Sequence, residues 1–458
     1  MAESELADRH LSELHAEAAR LGVPGYRMLR REQLIEEILE RGGEAAPDEV
    51  EAPRAEELPE EVEAPGAEER PEEEERPEAE ERPEGEERPE EEERPTEAEA
   101  VEELKRREAE TEQVSGVLDR TYRGYGFLRL RGLEPSPGDV YISASQIRRC
   151  ELRLGDLVSG PARQPVRGER YPALVHVDLV NGVEPTEGIQ RPRLEDLTPV
   201  APRRRLRLDP DPADVLTRAA DLLVPLALGQ RVLVWAAPHS GRTILLRGLS
   251  GAIQRTEERP ALVVLLVDER PEDATAWSEV LPDDELAVAT AEMSPREQVR
   301  VADLALERAK RRAESGEDVV LIVDSLSRLA VAHRDPANVK HVFGAGRELA
   351  EEGAGSLAVI ATVLDGVADD GAARAAVETT ENALIRLDPQ LAAAGIYPAL
   401  RPEDCRVSGE EELREPDELE AARRLRSELA GREATDAAAL LRERLEGSRT
   451  NAELLAAL

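Results

Sequence analysis

The chain has 458 residues, enough for two or three domains that each bury a core of their own. Its formal charge of −39, with 35% charged and only 2% aromatic residues, excludes a membrane-embedded protein and argues against indiscriminate attraction to nucleic acid. The opening MAESELADRH carries no basic and apolar leader, and the most apolar stretch, near 219–237, is broken by Asp221, Gln230 and Arg231, so a cytoplasmic location without a membrane partner is expected. Cys150 and Cys405 stand far apart, and the six histidines follow no metal-ligand spacing, which leaves neither a disulfide framework nor a zinc site.

Taken in chain order, LSELHAEAARLG and REQLIEEILE repeat apolar residues at helical spacing on either side of Val23-Pro24-Gly25, predicting a small helical module over 1–43. Residues 44–112 turn to Glu, Pro, Arg and Ala, with Arg-Pro pairs every six residues from Arg70-Pro71 to Arg94-Pro95, and hold about −23 of the charge. So little apolar surface cannot offset the entropy of ordering, and a disordered, self-repelling acidic linker follows.

Between Val114 and Val183 the pattern becomes short alternating stretches, SGVLDRTY, GYGFLRLRG, DVYISAS, LRLGDLVSGPARQ and YPALVHVDLV, separated by turn residues. Five short strands predict a small β-barrel of the oligonucleotide-binding kind over 113–187. Residues 114–183 carry about +3, a basic island in an acidic chain. Tyr125 and Phe127 alternate along one strand and so share a face, near Tyr141, where flat bases can stack; Arg129, Arg148 and Arg149 are available to phosphates. Gly124 and Gly126 are expected to leave that face open.

Over 195–413 continuous apolar strands, RVLVWAA, ALVVLLVD, DVVLIVD and SLAVIATVL, alternate with helical stretches, the signature of a parallel sheet covered on both faces. A helical tail is expected over 414–458. WAAPHSGRT lies between the first of these strands and a helix, where backbone N–H groups at a helix start hold phosphate and the Thr243 hydroxyl reaches a magnesium ion. This phosphate loop is degenerate: Arg242 stands where lysine is expected and Ala236 where glycine is. Glu269 and Asp324 close two neighbouring strands, the positions from which carboxylates orient a water and hold a metal.

At these motifs the chain resembles the transcription termination factor Rho family, in GYGFLRLRG, DVYISASQIRRCELRLGD, GERYPALVHVDLVNG, LVVLLVDERPED and FGAGRELAEEGAGSLAVIAT. The resemblance runs from the helical module to about residue 413, with the acidic linker as an insertion. It implies a RecA-like P-loop ATPase domain behind a cold-shock-like RNA-binding barrel. It further implies base contacts by Tyr125, Phe127, Tyr141, Glu169 and Tyr171, with Arg129 and Arg148 beside them and Cys150 where the family has an aromatic residue. For the nucleotide it implies His239, Ser240, Gly241, Arg242, Thr243 and Ile244 as the ATP loop, Thr243 and Asp324 at Mg2+, and Glu269, Asp324, Arg270 and Arg328 as the catalytic and coupling set.

The departures concern the motor. His239 and Arg242 replace two loop lysines, the family's RNA-gripping loop is missing between His333 and Val339, and GVADDGAARAAVETTEN is shortened and lacks the expected lysines. The trans-acting arginine finger falls on Pro389, with Arg386 three residues away. The expectation is a Rho-like termination factor that binds nascent single-stranded RNA and ATP as a homohexamer acting on RNA polymerase, with the RNA-dependent ATPase and helicase activity weakened or lost. The alternative is a non-enzymatic RNA-binding regulator that keeps the ring scaffold and mixes with a complete Rho subunit.

Overall fold

The computed structural model describes Ile35 and residues 111–458, apart from 167, 186–190, 209–210, 283–284 and 367–369. Apart from Ile35, the helical module over 1–43 and nearly all of the linker over 44–112 therefore lie outside the described residues. The last two linker positions, Thr111 and Glu112, already belong to the first strand.

That strand, β1 (Thr111–Arg120), is long enough to serve two neighbours. Its first part pairs antiparallel with β4 (Leu157–Arg163) and its end with β2 (Gly126–Arg129). The barrel closes through β3 (Val140–Ile142) and β5 (Ala173–Leu174), and a short β6 (Leu179–Val180) adds to β4. Leu118, Leu128, Val140, Ile142 and Val158 fill it, each contributing about 1.5–3 kcal/mol by leaving water. DVYISAS is not a strand throughout. Ser143 ends it by capping α1 (Ala144–Arg149) in a reciprocal box with Gln146, because the hydroxyl and amide satisfy N–H groups that a strand would have to pair elsewhere.

The second layer system starts with β7 (Pro199–Val200), α2 (Val215–Leu223), β8 (Arg231–Ala236), α3 (Arg242–Gln254), β9 (Ala261–Glu269), α4 (Pro271–Ser278), β10 (Leu286–Thr290) and α5 (Pro295–Glu314). It continues with β11 (Asp318–Asp324), α6 (Leu326–His333), α7 (Ala337–Phe343), β12 (Arg347–Leu349), β13 (Ser356–Leu364), α8 (Asp370–Val377) and β14 (Ala383–Arg386). The sheet order is β10-β9-β11-β13-β8-β14, all parallel, with β12 antiparallel on β13. Leu262, Val264 and Leu266 face one core and Val263, Leu265 and Val267 the other, so the uninterrupted apolar run of β9 is what burial on both faces demands.

After α9 (Pro389–Ala393) and β15 (Arg406–Val407) come α10 (Glu410–Leu413), α11 (Pro416–Leu429), α12 (Ala434–Glu446) and α13 (Asn451–Ala456). These last helices are part of the same core, to which they add Leu425, Leu429, Leu441, Leu445 and Leu454. Arg414, its side chain fully buried, ties them down by donating to the Leu222 carbonyl at 2.7 Å and pairing with Glu410 at 2.8 Å.

The barrel is seated on α5. Gly155, at φ +84°, lies so close to the helix that a Cβ there would stand 2.5 Å from the Arg308 nitrogen. Arg153 reaches Glu314 at 2.7 Å, and Arg300 reaches Asp119 at 2.9 Å. Among the described residues no helix is long and apolar enough to cross a membrane.

Candidate RNA and nucleotide interfaces

On the open face of the barrel, the alternation of β2 and the pairing of Phe127 with Tyr141 across to β3 bring four rings together. Tyr125 lies 5.9 Å from Phe127 and 5.7 Å from Tyr141, and Phe127 lies 5.0 Å from Tyr171, centroid to centroid. The edge-on and tilted contacts leave ring surface free, as a stacking platform requires. Gly126 is not what opens this face. It is buried, and a Cβ there would meet Leu118 Cδ1 at 2.7 Å, so it is small for the sake of the core.

Arg129 is only 5% exposed. It pairs with both Asp119 and Asp139, and its Nε donates to Asp119 Oδ2 at 3.0 Å. The guanidinium is thus a fixed, desolvated partner of two carboxylates beneath the rings and not an open phosphate contact. Arg148 is exposed on the last turn of α1 and does not line the cavity that Tyr125, Phe127 and Tyr171 share. Glu169 is forked by Arg163 at 2.6 and 2.7 Å, and that hydrogen bonding draws its carboxyl down to about 2. Tyr171 and its neighbour Arg170, whose guanidinium lies 5.4 Å from the Tyr171 ring, do line the cavity.

The cavity, of about 890 Å³, is wider than the aromatic cluster. Arg120 lines it from the end of β1, Tyr122 and Arg123 from the turn that follows, and Arg296 and Arg300 from α5. Sequence reasoning missed all five. The turn residues carried a local sign, an aromatic residue between arginines, whereas the α5 residues lie more than 170 positions from that turn and carried none.

The second site sits at the carboxyl edge of the sheet. After β8 the chain makes a tight loop in which the Ser240 hydroxyl donates to the Ala237 carbonyl at 2.7 Å. Gly241, at φ +92°, then starts α3, a left-handed conformation that suits glycine. Thr243 lies in the first turn, and its hydroxyl makes no hydrogen bond among the described residues. His239 and Ile244 are exposed.

Arg242, Glu269, Asp324 and Arg328 converge. Arg242 Nη2 stands 2.8 Å from Glu269 Oε1 and its Nε 3.2 Å from Asp324 Oδ2. Arg328 Nη1 is 3.0 Å from the same Glu269 oxygen, and the Thr362 hydroxyl donates to Asp324 at 2.8 Å. Burial, and next the charge of Asp324, push the Glu269 carboxyl above its usual range, against the pull of the two arginines. Arg270 is not part of this group; it is exposed and makes no ion pair among the described residues.

Three further positions concern the departures. α6 passes to α7 through Arg334, Asp335 and Pro336 alone. Pro389 is the first residue of α9, behind an Asp388 cap that accepts from Gln390 and Leu391. Arg386 lies 3.6 Å from the Trp235 ring centroid and 2.8 Å from Asp365, and so is held within its own chain.

Models of known families match three stretches of the chain: the Rho termination factor N-terminal domain over residues 5–46, the Rho termination factor RNA-binding domain over 114–186, and the ATP synthase alpha/beta family nucleotide-binding domain over 217–345. The transcription termination factor Rho of Aquifex aeolicus is 37% identical over 369 residues, covering 75% of this chain and 84% of that protein. That of Bacillus subtilis is 39% identical, covering 68% and 78%. The Streptomyces lividans factor is 37% identical over 75% of this chain, which spans about half, 51%, of its length. A solved ATPase from the type III secretion system of pathogenic bacteria gives a TM-score of 0.47 at 19% identity, covering 61% of this chain and 92% of that one.

Proposed function

The chain belongs to the transcription termination factor Rho family, and from that premise we propose that it binds nascent single-stranded RNA on the barrel and ATP at the loop around Gly241, as a ring hexamer engaged with transcribing RNA polymerase. The observation that carries the RNA reading is the four-ring cluster, three of whose rings, Tyr125, Phe127 and Tyr171, line an arginine-rich cavity. The test is fluorescence anisotropy with pyrimidine-rich RNA. Phe127→Ala together with Tyr141→Ala should weaken binding at least about tenfold, since each stacked base is worth about 1–3 kcal/mol. Unchanged affinity in a folded double variant refutes the assignment.

Weak or absent ATP hydrolysis belongs to the same proposal. Thr243 and Asp324 are the residues that would hold a magnesium ion, which neutralises phosphate charge when bound. Their donor chemistry fits, since one is an unengaged hydroxyl and the other a carboxylate at a strand end. Arg242, however, is spent on Glu269 and Asp324, so a nucleotide that uses this cation must first break two largely buried ion pairs. Pro389 has no charge to deliver to a neighbouring subunit, and Arg386 is engaged at home.

Those last two features also favour the second reading, a non-enzymatic regulator that keeps the ring scaffold and mixes with a complete Rho subunit. A second Rho-like chain with intact loop lysines in the source genome is the observation that separates the two.

A further inference from the structure

We propose that Tyr122 and Arg296 form an additional nucleotide station on the RNA path, with one wall from the barrel and the other from helix α5 of the nucleotide-binding domain. The inference rests on the RNA-binding reading and extends it beyond the four-ring cluster. Tyr122 is 92% exposed, the most exposed of the large apolar side chains among the described residues. It is nevertheless held in place. The turn that carries it is closed by the Thr121 N–H and hydroxyl donating to the Tyr125 carbonyl at 2.8 and 2.7 Å, and by the Gly124 N–H donating to the Thr121 carbonyl at 3.0 Å. Arg123 donates to the Tyr122 hydroxyl at 3.1 Å and lies 5.5 Å from the ring centroid. One ring face is thereby braced, which leaves the other for a base.

Arg296 supplies the opposite wall. It is exposed in the first turn of α5 and has no ion-pair partner among the described residues. One helical turn on, Arg300 is bound to Asp119, and this contact fixes α5 against the barrel. The cavity is lined by six arginines against three aspartates, and two of the aspartates, Asp119 and Asp139, are already paired with Arg129. In a chain of charge −39, a cavity with surplus arginines that continues from a base-stacking cluster is matched to a phosphodiester strand. Its 890 Å³ reaches the upper end of the range of about 300–1,000 Å³ that encloses a drug-sized molecule, so it has room beyond one base. The strand would leave the four rings, set a phosphate at Arg296 and stack its next base on Tyr122.

The experiment uses the full chain and a ladder of oligocytidines from a dinucleotide to an octanucleotide, measured by competition against a labelled octamer. Tyr122→Ala should leave dinucleotide affinity unchanged and lower octamer affinity roughly tenfold, the low end of one stacked base. Arg296→Ala should also spare the dinucleotide, and should reduce the slope of log affinity against log salt by about 0.7 for the octamer, the share of one phosphate on a single strand. Phe127→Ala is the control and should weaken every length. If Tyr122→Ala and Arg296→Ala match the wild type at all lengths while Phe127→Ala does not, the station is overturned and the RNA-binding reading survives. If Phe127→Ala is also silent, the RNA-binding reading itself has failed. A gain of octamer affinity in Arg296→Ala would likewise overturn the station, because it would mean that this arginine holds an acidic competitor, such as residues 44–110, in place of RNA.

Discussion

Arg242 and Glu269 are bound to each other across the carboxyl edge of the sheet, Nη2 to Oε1 at 2.8 Å, so the cation that opens helix α3 is committed to a carboxylate. Both side chains are largely buried, and a paired buried charge is released only at a cost of several kcal/mol.

Exchanging that cation alone should not create a motor. We expect Arg242→Lys to leave RNA-stimulated phosphate release within about threefold of the wild type, because an arginine finger accounts for about 10³–10⁵ in rate and is a separate part. Steady-state phosphate release with and without RNA, alongside calorimetric ATP binding, is the measurement. Robust RNA-stimulated turnover by the wild type would overturn the weak-hydrolysis reading.

Glu269 should make folding stability depend on pH in a defined direction. Its folded pKa is raised, chiefly by burial. A raised value means that the group's favourable contribution is complete below the pKa of the unfolded carboxyl and is lost as the pH climbs through the folded one. Glu269→Gln stays neutral and escapes that loss. The difference in melting temperature, variant minus wild type, should therefore grow more positive as the pH rises above the ordinary glutamate value of about 4.3. A difference that is flat or falls over that rise contradicts the assignment.

Gly155 should be the least replaceable residue of the seam between the barrel and α5. Alanine there adds a Cβ at 2.5 Å from backbone atoms of Glu307 and Arg308 while keeping φ at +84°, so overpacking and backbone strain combine to cost at least about 2 kcal/mol. Gly168→Ala is the comparison, since φ is +95° but nothing lies within 4 Å; it should cost about 1 kcal/mol. Chemical denaturation of both variants checks the order, and equal losses would mean that α5 yields to the barrel.

The sequence by itself determined the layer architecture, the place of the loop between β8 and α3, and the shared face of Tyr125 and Phe127. Each is written in local spacing: alternation along β2 puts Tyr125 and Phe127 on one face, and unbroken apolar runs such as that of β9 require burial on both sides. Short-range capping was less legible, as Ser143 turned an expected strand into α1 through side-chain hydrogen bonds that periodicity does not encode. Only the tertiary structure decided how the charges are spent. Arg129 looked like a phosphate contact and is a buried partner of Asp119 and Asp139. Arg242 looked like a substitute for lysine and is the bridge between Glu269 and Asp324. Arg296 and Arg300 reach the cavity beside the rings because α5 carries the barrel on its side. A guanidinium chooses among carboxylates by distance and desolvation, and both are set by which elements pack together, over separations in the chain that no local pattern records.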